Sequence, residues 1–75
     1  MHKAEIKVKE NAEILYNALK YEEAPRCRTK FELKDGSLTI TIESKSASNL
    51  RAALNSFLRW IDMLEKLMEK INGKN

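Results

Sequence analysis

The chain has 75 residues, with 14 Lys and Arg against 11 Asp and Glu, for a formal net charge of +3. A hydrophobic fraction of 43% beside a charged fraction of 33% describes one globular domain over residues 1–75, not a disordered segment. No apolar run approaches the roughly 20 residues of a membrane span, charges interrupt the N-terminal stretch where a signal peptide needs an apolar core, and the single Cys27 excludes an internal disulfide or a cysteine-based zinc site.

These bounds predict a reduced, cytoplasmic domain that is short of core. A chain of this size buries only about 60% of its unfolded surface, so association with a partner is expected. A self-contained enzyme fits poorly.

Residues 4 to 8 open the pattern. Ala4, Ile6 and Val8 alternate with Glu5 and Lys7, the period of a strand buried on one face. From Glu10 to Lys20 the period lengthens. Ile14, Leu15, Ala18 and Leu19 fall at helical spacing. Pro25 disfavours helical geometry at Ala24, so Tyr21 to Pro25 is a connection.

Alternation returns at Arg26. Cys27, Thr29, Phe31 and Leu33 point one way, and Arg26, Arg28, Lys30, Glu32 and Lys34 the other. Asp35-Gly36 then supplies the pair favoured in a two-residue hairpin turn, where both central residues need positive φ. Leu38, Ile40 and Ile42 alternate with Thr39, Thr41 and Glu43 in a β-branched strand.

Ser44 to Asn49 offers hydroxyl caps, of which Ser46 and Ser48 are best placed. A long helix follows from Ala47 to about Asn72, with Gly73 as its left-handed terminator. The expected fold is α+β in the order β-α-β-β-α. Its three-stranded antiparallel sheet carries both helices on one face and leaves the other wet.

The long helix is more apolar than one sheet requires. Leu50, Leu54, Phe57, Ile61, Leu64, Met68 and Ile71 form a heptad seam. Ala53, Phe57, Trp60, Leu64, Leu67 and Ile71 form a second beside it. At about 100° per residue the two cover over half the circumference, against the roughly 100° stripe that a sheet face needs. The first helix is too short to cover the remainder. The excess predicts docking of an outside helix on Leu50, Ala53, Phe57, Trp60, Ile61, Leu64, Leu67 and Met68.

The charge excess has a location too. Arg26 to Lys34 carries four basic residues and one acid, which leaves the rest of the chain balanced. Arg26, Arg28, Lys30 and Lys34 on the open sheet face fit contact with phosphates. They equally fit a solvated strand whose cations discourage edge pairing. No aromatic residue interleaves them, so base stacking is not indicated.

Catalytic and cofactor chemistry has no visible carrier. His2 sits at the terminus, Cys27 reads as a small core residue, and neither a phosphate-binding glycine loop nor metal-ligand spacing occurs. No catalytic residue, cofactor or metal is expected. Asp62, Glu65 and Glu69, interspersed with Lys66 and Lys70, read as a solvated helix face.

Asn49-Leu50-Arg51-Ala52-Ala53-Leu54-Asn55-Ser56-Phe57-Leu58 resembles the signature of the Pcc family, the small dimerisation subunit of the KEOPS complex, related to the LAGE and CTAG proteins. The element order agrees, and the resemblance covers nearly the whole chain. One departure is Ser46, where family members often carry an acid. The resemblance implies an archaeal-type homodimer that holds catalytic subunits of sugar-kinase fold by helix docking. It also implies a role in tRNA binding during threonylcarbamoyladenosine modification. A second reading is a free-standing nucleic-acid-binding or transcription-associated module that uses the basic strand. Arg51 is either a motif residue or a surface partner of Glu43.

Overall fold

A computed structural model of the chain describes residues 1–71. The elements run β1 (His2–Val8), α1 (Ala12–Leu19), β2 (Arg28–Lys34), β3 (Ser37–Ser44) and α2 (Ala47–Ile71). The order β-α-β-β-α and the long final helix are as expected. The Gly73 terminator lies outside the described residues.

The strands form one antiparallel sheet in the order β1-β3-β2. The hairpin joins β2 to β3 through Asp35 and Gly36, whose φ values of 53° and 75° are both in the left-handed region that this turn demands. β3 then pairs on its other side with β1, in a register that sets Ile6 opposite Ile40 and Phe31 opposite that same Ile40. Residues 38 to 43 of β3 thus each have a neighbour on both sides.

That central position explains the core. Leu38, Ile40 and Ile42 are fully buried on the helix side, each contributing about 1.5–3 kcal/mol by leaving water. Leu15 and Leu19 of α1 and Ala53, Phe57 and Ile61 of α2 close over them. α2 rests on β3 and β1, and α1 on β3 and β2, so both helices cover one face.

The start of α2 is held by serines. Ser46 Oγ accepts the Asn49 N–H at 3.2 Å, which satisfies one of the unpaired donors of the first turn. Ser48 is inside the helix and is not the cap. Ser44, 4% exposed, donates its hydroxyl to the Arg26 carbonyl at 3.0 Å and accepts the Ser46 N–H at 3.2 Å.

Three details differ from expectation. His2 is not at a free end, because β1 begins there and pairs it with Ser44. α1 is shorter than Glu10 to Lys20 and leaves Ile14 55% exposed, since Ala12, Leu15 and Leu19 form its buried face. Arg26 lies outside β2 with φ 60°. A left-handed residue breaks the alternation, so Arg26 and Cys27 precede the strand.

Candidate interaction surfaces

α2 carries the surface of interest. Its 25 residues span about 37 Å, against about 27 Å for the eight residues of β3. The molecule measures 42 × 24 × 17 Å. The last turns of α2 therefore pass beyond the sheet, and Leu67 and Ile71 are 52% and 74% exposed.

The eight residues expected to meet a partner separate into two groups. Ala53, Phe57 and Ile61 are at most 7% exposed and belong to the chain's own core. The shared seam faces the sheet, where Leu38, Ile40 and Ile42 already occupy it. Leu50, Trp60, Leu64 and Met68 are half-buried against that core, and Leu67 is exposed. Together with exposed Met63, the flank from Trp60 to Leu67 remains available.

Across this flank stands α1. Ala18, Leu19 and Glu22 line one wall of a groove whose other wall is Trp60, Met63 and Leu64. Toward the start of α2 the groove continues over small residues, Ala52, Ala53 and Ser56, beside Glu23 and Pro25. The Trp60 ring is fixed at the floor by Phe57, edge to face with centroids 5.2 Å apart. Phe57 in turn meets Phe31 of β2 at 5.7 Å. One aromatic chain thus runs from an edge strand, through the core, to the groove. The α1 wall was not legible in the sequence, because Ala18 was read as part of a buried face.

The open sheet face is less one-sided than β2 alone suggested. Arg26 has left it, and Arg28, Lys30 and Lys34 remain. Glu43 stands between Lys3 and Arg28, Thr41 between Glu5 and Lys30, and Thr39 between Lys7 and Glu32. Acids interleave with the cations. β1 adds Lys3 and Lys7 to the face, so the positive charge is shared between two strands. Arg26 lines a hollow at the end of the sheet with Lys45, Glu43 and the neighbouring Arg28.

Of the two readings of Arg51, the ion pair with Glu43 is not formed. Among the described residues the one ion pair is Lys66 with Asp62 at 3.1 Å, both well exposed. Cys27 is half-buried and sets its Sγ 3.5 Å from the Asn49 carbonyl. Among the described residues no group of three His, Cys, Asp or Glu side chains is placed to hold a metal, and no helix is long and apolar enough to cross a membrane.

A family model described as "Transcription factor Pcc1" matches residues 1–69. None of the curated proteins matches the chain.

Proposed function

Because the chain belongs to the Pcc1 family, we propose that it is the non-catalytic, homodimeric scaffold subunit of a KEOPS complex. In that role it bridges catalytic threonylcarbamoyl-transferase subunits of sugar-kinase fold and assists tRNA binding, in the cytoplasm of an archaeal-type cell. The chemistry of threonylcarbamoyladenosine formation belongs to the docked subunit. The observation that carries this reading is the apolar groove between α1 and α2, floored by Trp60 and walled by Met63 and Leu64. A helix laid there from outside would bury Met63 and Leu67, which this chain leaves 58% and 52% exposed.

The test is co-purification with the catalytic subunit. Met63→Asp with Leu67→Asp places charge in the groove without touching the buried seam, so the variant should fold and lose the complex. Retention of the complex by a folded double variant would show that docking lies elsewhere.

A second reading takes the family description at its word and uses Arg28, Lys30 and Lys34 of β2 as a phosphate-binding strand. It predicts salt-sensitive nucleic-acid binding by the isolated protein. Replacing the three with Ala should abolish that binding and leave assembly intact. Absence of binding at low salt, alone and in the complex, removes this reading.

A further inference from the structure

We infer that two adjoining hollows, which share Arg28, hold successive phosphates of one RNA strand at the end of the sheet and on its open face. The inference rests on the tRNA-binding part of the role proposed above and gives that part a place. It moves the contact off the far end of β2. Lys34 lies outside it, whereas Lys3 and Lys45, from other segments, lie inside.

The first hollow, of about 400 Å³, sits where β3 passes into α2, and Arg26, Arg28 and Lys45 line it. The second, of about 340 Å³, opens on the sheet face and is lined by Lys3, Arg28, Lys30 and Thr41. Glu43 is common to both. Ligand pockets of this size are mostly apolar. Here every lining residue except Met1 is polar or charged. Five cations stand against one acid, so the hollows hold more than the chain's whole excess of +3.

Those cations are uncommitted. All five are exposed. Glu43 has Lys3 on one side and Arg28 on the other in the strand register, yet among the described residues the one ion pair is Lys66 with Asp62. An arriving phosphate therefore has no internal pair to break. It also relieves the repulsion among the cations.

Arg26 adds a separate observation. Continued alternation would set it on the open face, but its φ of 60° takes it off the strand and into the end hollow with Lys45. Left-handed backbone is uncommon and costly in a residue other than Gly and persists where the surroundings enforce it. The buried Ser44 does so, donating its hydroxyl to the Arg26 carbonyl at 3.0 Å.

The chemistry selects the ligand. Arg guanidinium groups match phosphate oxygens in a bidentate fork. Two hollows with a common wall suit a chain of phosphates better than one free anion. No aromatic residue lines either, so the backbone is held without base stacking. Met1 alone offers an apolar side chain, too little to enter a lipid surface.

The experiment is fluorescence anisotropy of a labelled, unmodified tRNA transcript with the full chain at low salt, alone and with the catalytic subunit. Circular dichroism melting confirms folding. Arg28→Ala removes a cation from both hollows and should weaken binding at least about tenfold, with a shallower salt dependence. Lys3→Ala and Lys45→Ala should each weaken it less, and Lys34→Ala should leave it unchanged. Arg26→Gly should weaken binding while keeping or raising the melting temperature, because Gly takes positive φ without strain. Inorganic phosphate and vesicles of phosphatidylserine in phosphatidylcholine separate the other sources of phosphate. Binding of either without binding of tRNA overturns the RNA strand as ligand. Binding of tRNA that falls with Lys34→Ala and ignores Arg26→Gly and Lys45→Ala overturns this placement while the tRNA-binding reading stands. No binding of tRNA at low salt, alone or with the catalytic subunit, overturns both.

Discussion

Phe57 and Trp60 are three residues apart on α2, and their rings meet at 84° with centroids 5.2 Å apart. Phe57 is wholly buried, whereas Trp60 is half-buried at the groove floor. On the proposed role of the groove, stability and recognition are separable at this contact. Phe57→Ala opens a core cavity and is expected to cost about 3–5 kcal/mol. Trp60→Ala is expected to cost less and still to abolish binding of the catalytic subunit. Urea unfolding with fluorescence-independent detection, paired with a pull-down, checks both. Equal destabilisation by the two variants would refute the separation.

The cap of α2 gives a paired test. Ser46→Ala removes the acceptor of the Asn49 N–H and is expected to lower stability by about 1 kcal/mol. Ser48→Ala, one residue into the helix proper, is expected to change little or to raise stability slightly, because Ala is the better helix former. Thermal melting of the two variants side by side reads the difference. A reversed order would move the cap.

Gly36 isolates backbone conformation from packing. A Cβ added there meets nothing within 4 Å, yet φ is +75°. Gly36→Ala is therefore expected to destabilise by about 1–2 kcal/mol through backbone strain alone. Gly36→Asn, which tolerates the left-handed region, should cost less than Ala. Equilibrium denaturation that ranks Ala above Asn would contradict the turn assignment.

Ser44 is the one buried polar residue of the described core, and its hydroxyl serves two backbone groups. Ser44→Ala leaves the Arg26 carbonyl and the Ser46 N–H without that partner. A loss of about 1–3 kcal/mol is expected, with faster amide exchange at Ser46. Unchanged exchange there would mean that the bridge does not hold the start of α2.

The determinants of the fold are visible unevenly in the chain. The hairpin at Asp35-Gly36 is written in two adjacent residues, and the structure shows both with positive φ. The cap at Ser46 needs only the first turn of its own helix. Alternation in Leu38, Ile40 and Ile42 marks a buried strand face without any knowledge of what covers it. Local stereochemistry suffices in each case.

The failures have the opposite character. Arg26 continues the alternation in one dimension, but its backbone turns left-handed and its carbonyl is held by Ser44, eighteen residues away in sequence. Ile14 sits at helical spacing, yet α1 rotates to bury Ala12, Leu15 and Leu19. Ala53, Phe57 and Ile61 read as free for a partner because nothing in α2 alone says which arc meets the sheet.

By itself the amino-acid order determined the five elements, the tight turn and the surplus of apolar surface on the last helix. Those follow from periodicity, turn chemistry and composition, which act over a few residues. Only the tertiary structure decided that β3 is central, that Ala53, Phe57 and Ile61 spend their apolar surface on the chain's own core, and that Trp60 stays half-buried and Met63 and Leu67 exposed. It also interleaved the cations of β2 with acids from β3 and β1. Each of these depends on which distant segments meet, and the free energy of such meetings belongs to pairs of surfaces, not to either strand of sequence alone.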